Sequence, residues 1–238
     1  MTRLQSELQR LYGPPATAPT GHGLIDIADA VRLVVLELAR PADWTLISKV
    51  WRGVQADLAL PAPAIAVSGV DGYLLCFSFA EPQPRLQAQA FAEALRLRYL
   101  DDVARKRIGI CSPSSAALPP RQTDQPQDLW SAFVAPDLAP VFAAEPWLDI
   151  PPSHEGQADL LCRLDSIKPA ALQLALQRLG APTLAPAPSV NEPAPAQLTQ
   201  AAGSAAPSLD PRSFLLKVMN DESVAMALRI EAAKALLP

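Results

Sequence analysis

Two hundred and thirty-eight residues leave room for one or two domains, and 20 Lys+Arg against 24 Asp+Glu give a net charge of -4. That balance argues against a nucleic-acid binder of the all-over basic kind, although a local patch stays open. Cys76, Cys111 and Cys162 are widely spaced, with no CxxC pair, so neither a disulfide framework nor a cysteine zinc site is expected and a reducing, cytoplasmic setting fits. No apolar run approaches the roughly 18 residues of a membrane span, and residues 1–7 lack a signal-peptide core, so no membrane partner is expected.

Taken in chain order, residues 1–23 read as a helix and loop. Leu4, Leu8 and Leu11 recur at helical spacing, and Gly13-Pro14-Pro15 stops the helix. Residues 24–180 read as the core domain. Val31–Leu38 is a β-branched and leucine run closed by Pro41, a buried strand. Asp43–Leu60 carries Leu46, Ile47, Val50, Trp51, Val54 and Leu58 at helical spacing. Ile65–Val67 and Tyr73–Phe79 are apolar runs separated by the turn-rich Ser68–Gly72, which predicts a hairpin. Leu86–Leu100 is a second helix, with Phe91, Leu95 and Tyr99 on one face, and Ile108–Cys111 a fourth strand. The order strand, helix, strand, strand, helix, strand predicts an α+β fold with a ferredoxin-like βαββαβ core: an antiparallel sheet of four or five strands, Val31–Leu38 central, both helices on one face. Trp130–Val134 supplies the fifth strand, and helices are predicted at Asp137–Ala143, Gly156–Ile167 and Pro169–Leu179, the last capped by Gly180. Residues 181–209 are dominated by Ala and Pro. They cannot bury enough to offset their own ordering entropy, and so read as an extended linker. Residues 210–238 read as a C-terminal helical hairpin.

Chemistry-bearing motifs are sparse. His22 and His154 are the only histidines, each in a Gly- or Pro-flanked loop without a second ligand at metal spacing. There is no GxSxG elbow, Walker phosphate loop or GxGxxG fingerprint. No catalytic residue, metal ligand or cofactor is therefore expected.

The hairpin segment Ser68-Gly69-Val70-Asp71-Gly72-Tyr73-Leu74 resembles that of the archaeo-eukaryotic primase superfamily, over residues 31–111. Ser68, Gly69, Gly72 and Tyr73 match the pattern Ser-Gly-x-x-Gly-aromatic-His. The resemblance implies glycines that let backbone approach a nucleotide, a phosphate-contacting histidine, and acids on neighbouring strands that hold divalent metal. The departures are equally specific. Leu74 stands at the histidine position, Glu37 has Ala39 where a second acid belongs, and Arg107–Ser112 carries no carboxylate. One acid cannot hold two Mg²⁺ ions, so a primase-like domain here would have lost its polymerase chemistry. Glu37, Ser68, Gly69, Asp71, Gly72 and Tyr73 form the candidate ligand pocket. RNA-recognition domains share the fold, but Tyr73, Leu75, Phe77 and Phe79 fall on one face and read as core.

Asp210–Asp221 followed by Leu228–Pro238 resembles the helical pair of phage terminase small subunits. Asp210 caps a helix begun by Pro211, and Phe214, Leu215 and Val218 form an apolar face for Leu228 on the next helix. The resemblance implies an assembly element, so these four residues are the candidate partner-binding set, for a protein partner or a second copy. Three function classes follow: a non-catalytic binding or adaptor protein linked to phage or mobile-element DNA processing, a metal-dependent nucleotidyl-transfer enzyme with rearranged acids such as Glu37 and Asp71, or a plain scaffold. Nucleic acid as a partner draws no support from the net charge.

Overall fold

The computed structural model describes residues 1–13, 30–113, 118–124 and 128–181. All lie in the first of the two units into which the chain divides, Met1–Ala187 and Pro188–Pro238. His22, most of the linker, and the partner-binding set Phe214, Leu215, Val218 and Leu228 fall outside the described residues.

Among the described residues, five α-helices and six strands run in the order α1 (Arg3–Tyr12), β1 (Ala30–Ala39), α2 (Trp44–Ala56), β2 (Ala64–Val67), β3 (Gly72–Pro84), α3 (Arg85–Tyr99), β4 (Ile108–Cys111), β5 (Arg121–Gln122), β6 (Trp130–Val134), α4 (His154–Leu161) and α5 (Pro169–Leu179). The strands form one sheet, β4-β1-β3-β2-β6-β5, with every neighbouring pair antiparallel. Local chemistry explains the helix starts. Thr2 accepts from the Gln5 amide at 3.2 Å while its own amide donates to Gln5 Oε1 at 2.9 Å, a reciprocal capping box for α1. Asp43 accepts from the Leu46 amide at 3.1 Å and opens α2. Gly180, at φ +64°, closes α5 in the left-handed conformation that costs glycine least.

Strand alternation divides the side chains between two faces. On one face Val34, Leu36, Leu38, Tyr73, Leu75, Phe77 and Phe79 pack against Ile47, Val50 and Val54 of α2, Phe91 and Leu95 of α3, and Leu172 and Leu176 of α5. Phe91 meets Phe77 edge-on at 5.5 Å and Phe79 at 6.1 Å, contacts worth about 0.5–1.5 kcal/mol each beyond their buried area. The opposite face presents Leu33, Val35, Ala64, Ala66, Cys76 and Phe133, which α1 covers with Leu4, Leu11 and Tyr12, and α4 with Ala158 and Leu161. Arg32 ties α1 to the sheet: its guanidinium donates to the carbonyls of Phe79, Gly13 and Arg10. All three cysteines are free thiols.

Several expectations are revised. The sheet has six strands, and β1 sits second from an edge, because β6 and β5 extend the far side beyond β2. Residues 139–143 form a 3₁₀ turn with Pro140 at its start instead of an α-helix. Helix α4 begins at His154, so that histidine is helical, not in a loop, and it ends at Leu161. The chain then extends: Ile167 donates to Ser78 O at 2.8 Å and accepts from the Ala80 amide at 2.9 Å, pairing in parallel with β3. Among the described residues no helix is long and apolar enough to cross a membrane.

Candidate functional site

Helices α1 and α4 leave part of the second sheet face uncovered. A cavity of about 440 Å³ lies there, lined by Glu37, Arg40, Ser68, Val70, Asp71, Leu74, Pro119, Arg121, Thr123, Asp124 and Ser131. Its size falls within the roughly 300–1,000 Å³ typical of small-molecule sites. Register explains the grouping. Glu37 stands opposite Leu74 of β3 on one side and Gly109 of β4 on the other, so all three share the uncovered face. Leu74 in turn faces Ala66 of β2, and Ala66 faces Phe133 of β6, two residues from Ser131.

Of the six sequence-derived pocket residues, Glu37, Ser68 and Asp71 line this cavity together. The other three do not line it. Tyr73 points to the opposite face, fully buried, its hydroxyl donating to Ala139 O and its ring 5.7 Å from Trp44. Burial, with Asp43 adding to it, pushes the Tyr73 phenol up to about 12. Gly69 has φ +82°, and a Cβ there would lie 2.5 Å from Thr123 Cγ2 and 2.8 Å from the Ser131 amide nitrogen. Gly72 abuts Ala39 of β1, where a Cβ would approach to 2.9 Å. Both glycines thus have steric reasons that involve no ligand. Ser68 is likewise engaged locally: its Oγ accepts from the amides of Val70, Asp71 and Gly72 at 3.1, 3.1 and 3.0 Å, and its own amide donates to Gly72 O.

The remaining hydroxyls on the cavity wall are also committed. Ser131 Oγ accepts from the Arg121 amide and donates to the Arg121 carbonyl, both at 3.1 Å, which fixes β5 on β6. Thr123 Oγ1 donates to Leu129 O at 3.0 Å. The charged side chains are not so engaged. Among the described residues, the carboxylates of Glu37, Asp71 and Asp124 and the Arg121 guanidinium have no hydrogen-bond or ion-pair partner, and the Arg40 guanidinium donates only to Lys106 O. Glu37 is half-buried against Gly109, whose missing side chain makes the room. Burial raises its carboxyl above the ordinary value and Asp71 adds to the rise, while Arg40 opposes it. Cys111, two residues along β4, is raised by burial and by the Glu37 charge.

Arg40 adopts φ +53°, a left-handed conformation that is uncommon for a non-glycine residue and costs on the order of 1–3 kcal/mol. It is held there by its amide, which donates to Asp71 O at 3.2 Å. Sequence reasoning missed Arg40, Arg121 and Asp124. The signal for Glu37 was its place on the strand where the primase-like pattern carries an acid; Arg121 and Asp124 lie on a two-residue strand and its flank, with no periodicity to mark them.

Among the described residues no group of three or more His, Cys, Asp or Glu side chains could hold a metal ion. With Leu74 and Gly109 beside Glu37, the donor set does not fit the divalent metals that a primase-like site implies. No protein-family model matches the chain, and a search of the curated proteins finds no match.

Proposed function

We propose that this chain is a non-catalytic binding or adaptor protein built on a ferredoxin-like, degenerate primase-like domain, with the uncovered sheet face as its ligand site. The strand order β4-β1-β3-β2, with α2 and α3 as the two crossovers, supports the ferredoxin-like part of this reading. The observation that carries the functional part is the convergence of Glu37, Ser68 and Asp71 on one cavity floored by Leu74. Five charged groups without mutual ion pairs line that cavity, as expected of a site that completes its contacts with a ligand. The C-terminal segment, by its resemblance to phage terminase small subunits, serves as the partner-binding element through Phe214, Leu215, Val218 and Leu228, in a phage or mobile-element DNA-processing context.

A second reading, metal-dependent nucleotidyl transfer, draws on one observation: Asp71 is close enough to Glu37 for its charge to add to the rise of the Glu37 carboxyl. The assay that separates the two uses the full chain with Mg²⁺ or Mn²⁺, primed and unprimed template, and all nucleotides. The binding-protein reading expects no extension product. Template-dependent extension that disappears in Glu37→Ala would overturn it.

A further inference from the structure

Strand β4 ends the sheet: among the described residues it pairs with β1 on one side and with no strand on the other. Its sequence, Ile108-Gly109-Ile110-Cys111, holds no charge and no proline, and an apolar edge of that kind invites a further strand. Register fixes which of its backbone groups are open. The Arg40 amide donates to Asp71 O, while Ala39 O accepts from Arg107 on the other side. The even-numbered residues of β1 therefore aim their amides and carbonyls at β3, and the odd-numbered ones at β4. Val35 and Glu37 thus bond Cys111 and Gly109 across the ladder. Ile108, Ile110 and, by continuation, Ser112 turn their groups outward, away from the sheet.

Two arginines sit on those outward groups. The 3₁₀ turn Arg105–Arg107 leads into β4 so that the Ile108 amide donates to the Arg105 carbonyl, and the Arg105 guanidinium donates back to the Ile108 carbonyl at 2.8 Å. Arg105 thus gives Ile108 the pair of bonds that a residue of a neighbouring strand would give it. Glu93 of α3 stands 3.7 Å from the same guanidinium and holds it over the edge. At the other end of the strand the guanidinium of Arg85, the first residue of α3, donates to Ser112 O at 3.3 Å. Ile110, between the two, is the outward-facing residue that neither arginine covers. An incoming strand would have to break these contacts and desolvate both guanidinium groups before it gained bonds of its own.

We infer that Arg105 and Arg85 guard the β4 edge: they occupy the places where a second copy of this chain would add its own β4, and so keep the sheet from extending between molecules. The excluded occupant is a second copy because the edge is self-complementary. A two-fold axis at Ile110 sets Ile108 of one copy opposite Ser112 of the other in antiparallel pairing. The test is sedimentation velocity on the full chain, comparing the parent, Arg85→Ala/Arg105→Ala, and that double variant carrying Ile110→Pro, each with a melting curve. Proline at 110 removes an outward amide and leaves the ladder to β1 intact, the place where an edge strand tolerates it. The double variant is expected to melt cooperatively and to show a weight-average mass at least double the parent's as concentration rises. Adding Ile110→Pro should return the mass to the parent's. Whatever the C-terminal segment does is common to all three. Hydrogen exchange gives a second reading, because the Ile110 amide should gain protection in the associated double variant. A double variant that matches the parent's mass at every concentration would overturn the inference. So would association that survives Ile110→Pro or leaves Ile110 exchange unchanged, since it would then run through unfolded chain or another surface. Should the double variant not fold, Arg105→Ala with and without Ile110→Pro takes its place under the same criteria.

Discussion

Replacing Gln157 by alanine should destabilise the domain more than any exposed substitution on the same helix. The Gln157 side chain lies buried under the sheet edge, where Oε1 accepts from the Phe133 amide at 2.7 Å and Nε2 donates to the Phe133 carbonyl at 2.9 Å. It therefore does for β6 what a neighbouring strand would do, satisfying both backbone groups of a buried residue. Alanine leaves both unpaired. At about 1–3 kcal/mol for each orphaned buried group, the loss is roughly 2–5 kcal/mol, offset by a few tenths from alanine's better helix propensity. For a domain of this size, where about 1 kcal/mol moves Tm by 2–4 °C, the expected fall is on the order of 5–15 °C. Gln157→Glu supplies a diagnostic control. Below its own pKa the neutral carboxyl can both accept and donate, and so stays close to the parent. Above that pKa it can only accept, and a buried charge faces the Phe133 carbonyl, so stability falls as pH rises. Differential scanning calorimetry across pH reads both effects. A drop of less than about 2 °C for Gln157→Ala, or no pH dependence for Gln157→Glu, would refute the claim that this amide completes the strand.

Three further outcomes are expected. Glu37→Gln should raise Tm at neutral pH: burial and Asp71 hold the native carboxyl above its unfolded value, so the penalty builds as pH rises between the two and is absent below the unfolded pKa of about 4.3. A Tm gain that persists unchanged at acid pH would contradict this cause. Gly69→Ala should cost on the order of 2 kcal/mol in chemical denaturation, because φ +82° and the Ser131 amide leave no place for a Cβ; a neutral result would mean the hairpin can re-route. Arg32→Ala removes the side chain that bonds Phe79, Gly13 and Arg10, so hydrogen exchange of the α1 amides should accelerate selectively while those of β3 keep their protection.

Much of the architecture was written in local periodicity. The β1 run, the Ser68–Gly72 hairpin, α2, α3 and the capped α5 all stand where apolar spacing and turn residues put them. What was not legible depends on distant partners. Strand β5 is two exposed residues, Arg121 and Gln122, and exists because Ser131 grips the Arg121 backbone. Residues 162–167 continue a helical pattern through Leu164 and Ile167, yet Ile167 finds better hydrogen bonds on β3. The same limit applies to the cavity. Glu37, Ser68 and Asp71 could be named because they fall on the strand and hairpin that resemble the primase-superfamily pattern. Arg40 and Arg121 acquire meaning only when the sheet brings their segments together. Tyr73, Gly69 and Gly72 belonged to the motif but serve the core and the turn.

The central claim, that the uncovered sheet face is a ligand site, is tested most directly by amide-shift mapping of the full chain titrated with ATP. The account predicts saturable shifts confined to Ser68–Asp71, Leu74, Arg121–Thr123 and Ser131, the backbone around the cavity. Saturable shifts elsewhere with silent cavity amides would contradict it.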